Sequence, residues 1–314
     1  MDKLKYSETF YSAQGEGQYT GIPSLWMRFF LCNLQCDGFG QTDPTNPDTY
    51  ELPYEKLDLT DITDVMQLPV FDKGCDSSYT WSKRYKHLMT DRTPQEAVDE
   101  LTRLLPHGTF QHPDSKQWTH MVFTGGEPML KNTQPGIISV LEEFRKRNNS
   151  PRHVTIETNG TKPLTPELEE YIDLFTLSGG EWMWSISPKL WSTAGEKPKK
   201  AIQPEVVGKY TEMTDRGQLK YVVNGSAESW AEVEHNTRLF REAGCDYPVW
   251  IMGIGGTYEG LTETEATIAD EAIQRGYNYT TRATCISTGT RLANEGSNHR
   301  TYSRHRSSNS RSLS

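Results

Sequence analysis

From residue 93 to residue 275 the chain alternates short apolar runs with helix-length amphipathic segments. Thr93, an N-cap residue, is followed by Pro94 and Glu96, which predicts a helix running to about Leu105. Strands are predicted at 119–123, 154–158, 184–187, 219–223 and 249–252, with helices near 136–147, 166–171, 229–243 and 262–275. An earlier apolar run, 22–31, reads as a buried strand. Such alternation predicts an α/β fold, a parallel sheet covered by helices. In sheets of this kind the chemistry gathers at the carboxyl ends of the strands. Three polar or glycine-bearing stretches fall there: Thr124-Gly125-Gly126-Glu127-Pro128, Glu157-Thr158-Asn159-Gly160 and Ser187-Pro188-Lys189.

Composition narrows the class. The 314 residues carry a formal charge of −9, so general nucleic-acid binding, which needs a basic footprint, is not expected. No apolar run approaches the roughly 18 residues of a membrane span, and the N-terminus lacks the apolar core of a signal peptide. A soluble protein of the cytoplasm is therefore expected, despite a low mean hydropathy of −0.71. In a reducing compartment clustered cysteines bind metal or do chemistry more often than they form disulfides. Of five cysteines, Cys32 and Cys36 lie four apart, directly after the 22–31 run. Alone, that pair is either a metal site or two buried thiols. Cys245 has no partner motif and reads as structural, and the eight histidines show no zinc-ligand spacing. Residues 38–73 are turn-rich, with Pro44, Pro47, Pro53 and Pro69, and read as a surface insertion.

Read together, several stretches resemble the 7-carboxy-7-deazaguanine synthase family of radical S-adenosylmethionine enzymes. These are Phe10 through Gly17, Gly21-Ile22-Pro23, Arg28, and Cys32-Asn33-Leu34-Gln35-Cys36. The strand-end stretches match that family's motifs in order. The family's third cysteine ordinarily stands three residues after the second, where this chain has Phe39. Gly74-Cys75-Asp76-Ser77-Ser78-Tyr79-Thr80-Trp81 resembles the third cysteine with its sequel, displaced by the insertion.

The resemblance covers about 6–282 without the insertion and implies a partial (β/α) barrel. It implies a [4Fe–4S] cluster on Cys32, Cys36 and Cys75, and Mg²⁺ at Ser77. S-adenosylmethionine would meet Gly74, Asp76, Gly125, Gly126, Glu127, Glu157, Asn159, Ser187, Pro188 and Lys189. Gly74 replaces an aromatic residue that packs on adenine in the family, leaving that contact unassigned. A pterin substrate would meet Ala13, Gln14, Gly15, Glu16, Arg28 and Thr124, with Arg28 suited to its carboxylate. The implied activity is a carbon–nitrogen lyase reaction of queuosine and 7-deazapurine biosynthesis. Hydrogen is taken from C6 of 6-carboxy-5,6,7,8-tetrahydropterin, the ring contracts and ammonia leaves. Electrons would come from flavodoxin or ferredoxin, and a homodimer is the usual state. Two other readings stay open, an activase of a glycyl-radical partner and a catalytically impaired homologue.

The family's ending is not found. Residues 1–282 read as the radical domain, and 283–314 as an atypical tail, Ser- and Arg-rich and expected to be disordered. One codon choice for 283–294 reads, in another frame, Asn-Leu-Tyr-Leu-Tyr-Gly-Asn-Ala-Ile-Gly, close to the family's ending. A one-nucleotide frameshift after about Arg282 is therefore expected, with Cys285 and the basic tail serving no function.

Overall fold

The computed structural model describes residues 3–255 and 264–283. Most of the predicted tail, including Cys285, lies outside the described residues. Among the described residues nine strands form one sheet: β1 (Leu4–Ala13), β2 (Pro23–Phe29), β3 (Thr90–Arg92), β4 (His120–Gly125), β5 (His153–Thr158), β6 (Glu181–Ile186), β7 (Gly217–Val223), β8 (Val249–Gly253) and β9 (Asn278–Tyr279). Their order is β3-β1-β2-β4-β5-β6-β7-β8-β9. From β2 to β9 all neighbours are parallel, as the alternating pattern requires. The expectation of a parallel sheet is corrected at one edge, where β1 pairs antiparallel with both β2 and β3. A tight connection, Gln14 to Ile22, folds β1 directly back on β2, and so short a link permits only antiparallel pairing.

The described helices are α1 (Pro53–Lys56), α2 (Pro94–Leu104), α3 (Gln134–Lys146), α4 (Pro166–Leu177), α5 (Trp191–Ala194), α6 (Pro198–Ala201), α7 (Pro204–Met213), α8 (Ala227–Glu242) and α9 (Glu265–Gln274). At the start of α2 the Thr93 side chain and Glu96 cap each other's backbone amides. The long helices pack in succession, α2 on α3, α3 on α4, α4 on α7 and α7 on α8. They cover one face of the sheet.

Period-two alternation sorts each strand between the two faces. Phe29, Phe123, Ile156, Trp184, Tyr221 and Ile251 enter the main core under the helices. Their neighbours Arg28, Thr124, Glu157, Ser185, Lys220 and Met252 line a cavity on the other face. Among the described residues the sheet stays open between β3 and β9, a partial barrel rather than a closed one. Its far ends nevertheless meet. The amide of Gly17 donates to Thr280 Oγ1 at 2.8 Å, and that of Ala283 to the Gly15 carbonyl at 2.9 Å.

Residues 38–73 build more than a run of turns. Tyr54, Val65, Leu68 and Phe71 form a second small core with Tyr79, Tyr85 and Leu88 from beyond Cys75.

Candidate active site

The cysteine loop leaves β2 through Leu31, whose φ of 79° is left-handed, and Cys36 repeats that geometry at 57°. Left-handed backbone at non-glycine residues costs energy and persists only where surroundings impose it. The surroundings are visible. The Leu31 amide donates to the Thr80 carbonyl at 2.6 Å, and the amides of Gln35 and Cys36 both donate to Glu196 Oε1, at 2.6 and 3.0 Å.

The 38–73 segment returns the chain to its starting point, because the Gly74 amide donates to the Phe39 carbonyl at 2.7 Å. Tyr79 Oη donates to Glu8 at 2.7 Å, fixing the segment after Cys75 against β1. Cys36 therefore packs with Leu34, Ala194 and Ala201 in a cluster that Cys32, Phe39 and Cys75 complete. Thirty-eight residues of sequence separate Cys36 from Cys75, yet all three sequence-predicted cysteines line one cavity of about 410 Å³.

Burial pushes all three thiols up, Cys32 to about 12, with Glu127 and Cys75 adding to the effect at Cys32. As bare thiolates they would be costly to keep together, and bound metal is what offsets such a cost. Among the described residues no three His, Cys, Asp or Glu side chains close on a single ion. In a four-iron cluster each thiolate takes its own iron, so its ligands stand apart across the cube. Three soft sulfur donors spread around one cavity fit that group.

Gly125 and Gly126 pass hard against the cysteine loop. A Cβ on Gly125 would stand 2.6 Å from the Phe29 carbonyl oxygen, and one on Gly126 would stand 2.2 Å from that of Leu31. No larger residue fits there. Glu127 does not line the cavity. Its buried carboxylate accepts from Met129 N at 2.9 Å, Thr158 Oγ1 at 2.6 Å and Asn159 N at 2.8 Å, pinning the turn after β4 to the end of β5. Asn159 Nδ2 donates to Asn33 Oδ1 at 3.2 Å, tying β5 to the cysteine loop. Lys189 Nζ donates to Ser187 Oγ at 2.9 Å and stands 5.8 Å from the centre of the Phe39 ring.

On the far wall, Arg28 Nε pairs with Glu8 at 2.7 Å. Thr124 Oγ1 and Gln14 Nε2 each donate to the Glu157 carboxylate, both at 3.1 Å. Glu16 is held between Lys220 and Arg282, the latter at 2.8 Å, and Arg282 also reaches Asp76 at 3.2 Å. Burial alone would raise the Glu16 carboxyl, but Lys220 and Arg282 outweigh it and bring it down to about 2.

Of the residues expected from sequence, Glu16, Arg28, Cys32, Cys36, Gly74, Cys75, Asp76, Ser77, Thr124, Gly125, Gly126, Glu157, Asn159, Ser187 and Lys189 line the cavity. Ala13, Gln14, Gly15, Glu127 and Pro188 stand outside its lining. Among the residues the lining adds to these are Phe39, Lys220 and Arg282. Lys220 carried the same signal as Arg28, a cation inside an apolar strand. Phe39 carried one too, an aromatic residue where the third cysteine was expected.

The fold and site define an α/β protein with a three-cysteine cavity, lined by charges of both signs, at the strands' carboxyl ends. No protein-family model matches the chain. It is 26% identical over 290 residues to the 7-carboxy-7-deazaguanine synthase of Rhodopirellula baltica, covering 89% of this chain and 84% of that protein. To the enzyme of the same name from Halobacterium salinarum it is 27% identical over 298 residues, covering 89% and 88%. Along most of its length the chain is thus similar to proteins named 7-carboxy-7-deazaguanine synthase. The crystal structure of QueE from Escherichia coli aligns at TM-score 0.48 and 18% identity, covering 90% of this chain and 94% of that one.

Proposed function

We propose that this protein is a radical S-adenosylmethionine enzyme that converts 6-carboxy-5,6,7,8-tetrahydropterin to 7-carboxy-7-deazaguanine and ammonia. The observation that carries this reading is the convergence of Cys32, Cys36 and the displaced Cys75 on one cavity, beside the strand-end stretches. Substrate minus ammonia has the composition of the product, so the reaction is redox-neutral overall. When bound, a [4Fe–4S] cluster with S-adenosylmethionine supplies the radical chemistry that takes hydrogen from C6.

The chain's own residues do the rest. Arg28, held at Nε by Glu8, turns the remainder of its guanidinium to the substrate carboxylate. Glu16, kept ionised by Lys220 and Arg282, accepts from the donor edge of the pterin ring. Lys189, Ser187 and Asn159 hold S-adenosylmethionine, and Ser77 offers a hydroxyl to Mg²⁺. Phe39, bonded through its carbonyl to Gly74 and lining the cavity, supplies the aromatic wall that Gly74 itself lacks. Residues 1–282 act as one catalytic domain, with 38–73 inserted in its cluster-binding loop. The electron donor is a flavodoxin or ferredoxin, the working unit a homodimer in the cytoplasm, and the product feeds deazapurine synthesis.

Anaerobic reconstitution with iron and sulfide tests this reading. The wild type is expected to take up about four irons per chain, and Cys75→Ala to lose them. With S-adenosylmethionine, a reductant and the tetrahydropterin, the wild type is expected to release 7-carboxy-7-deazaguanine. Full iron retention by Cys75→Ala overturns the ligand assignment. S-adenosylmethionine cleavage without pterin turnover points instead to an activase.

A further inference from the structure

Glu196 belongs to none of the sequence motifs, yet it is buried beneath the cysteine loop, between α5 and α6. One oxygen, Oε1, accepts from two consecutive amides, Gln35 N at 2.6 Å and Cys36 N at 3.0 Å. The other, Oε2, stands 3.4 Å from Nζ of Lys200, whose side chain is half exposed. Around it Leu34, Cys36, Ala194 and Ala201 form an apolar floor. The Gly38 amide adds a bond to the Ala194 carbonyl at 3.1 Å, joining the same two segments.

Two consequences follow from this geometry. Cys36 sits at a left-handed φ of 57°, and a carboxylate gripping its own amide and the preceding one selects that conformation. The same grip keeps two amides from turning toward cluster sulfur, and it places an anion in a low-dielectric floor beside the Cys36 thiolate. Amide-to-sulfur hydrogen bonds and positive surroundings raise a cluster's reduction potential; their absence and a nearby anion lower it. Both effects of Glu196 therefore have one sign.

We propose that Glu196 is a positioning residue for the iron–sulfur cluster, setting the backbone of the Cys32–Cys36 loop and holding the cluster at a low reduction potential. This rests on the cluster reading above, and the experiment separates the two. Wild type, Glu196→Gln and Glu196→Ala are reconstituted anaerobically, and iron content, resistance to a chelator and the midpoint potential are measured. Circular dichroism confirms that each variant is folded.

Glu196→Gln keeps an oxygen that can accept from both amides but removes the charge. It is expected to bind iron like the wild type, with a midpoint shifted to less negative potential. Glu196→Ala removes the grip as well, and cluster affinity read by chelator competition is expected to fall about 10-fold or more, the usual cost of losing a ligand's supporting partner. If Glu196→Ala does not fold, the potential of Glu196→Gln alone decides. Unchanged potential in Glu196→Gln, or undiminished chelator resistance in a folded Glu196→Ala, overturns the proposal. A wild type that takes up no iron overturns the cluster reading itself.

Discussion

The Glu127 carboxylate is fully buried and accepts three hydrogen bonds, from Met129, Thr158 and Asn159. Sequence singled this residue out for its place in a glycine-rich strand-end turn, and its geometry assigns it a bracing task. Truncation would strand three buried donors, each costing 1 kcal/mol or more. Glu127→Ala is expected to lower unfolding stability by about 3 kcal/mol, measured as a drop in the urea midpoint. A midpoint within error of wild type would show that water satisfies those donors. Glu8 teaches a related lesson. It is buried in β1 because Arg28 and Tyr79 reach it from elsewhere in the fold. No local pattern around residue 8 announces partners so distant in sequence.

At the scale of elements, the parallel strands and their helices were legible because each obeys a short-range rule. Thr93 caps α2, and short apolar stretches such as Met121-Val122-Phe123 in β4, Tyr221-Val222-Val223 in β7 and Val249 to Met252 in β8 mark strands. The antiparallel β1, with Ser7 and Glu8 buried among its apolar residues, broke the alternation that would have marked it. The 38–73 segment was legible as an interruption but not as a folded one. Its apolar residues, among them Tyr54, Val65, Leu68 and Phe71, sustain no helical or strand repeat across the breaks at Pro53 and Pro69. Tyr54 anchors that core, with its hydroxyl 2.8 Å from Asp37 Oδ1 and its ring edge-on to Phe71 and Trp81. Tyr54→Ala is expected to cost the small core about 3 to 5 kcal/mol, and Tyr54→Phe about 1 kcal/mol. Amide hydrogen exchange is expected to speed up across 40–73 in Tyr54→Ala while β4 to β7 keep their protection. Equal acceleration in the sheet would show that the two cores unfold together. Loosening confined to 40–73 would also weaken the Gly74–Phe39 bond that returns Cys75 to the cavity.

At the scale of the whole molecule, an open sheet must hold its two edges around a shared cavity, and Glu16 is where they are joined. It lies in the turn after β1, whereas Lys220 lies on β7 and Arg282 follows β9. The cavity was legible in part because strand ends gather polar residues, but this closure was not. It depends on three residues drawn from distant parts of the chain, and on a sheet curvature no sequence spacing encodes. The Glu16 carboxyl falls from an unfolded value of 4.5 to about 2 in the fold. A depressed acid stabilises the fold above its unfolded pKa and loses that contribution as pH falls toward the folded one. The contribution is therefore whole above about pH 5 and nearly gone by about pH 2. At roughly 1.4 kcal/mol per pKa unit it amounts to about 3 kcal/mol. Glu16→Gln cannot titrate, so it is expected to be less stable than wild type by about that amount at pH 7. The gap should narrow steadily below pH 5, because wild type gives up there what the variant never had. Urea midpoints of both proteins between pH 7 and pH 3 measure it. A gap that stays constant across that range would mean that Glu16 joins the edges by shape and hydrogen bonding rather than by charge.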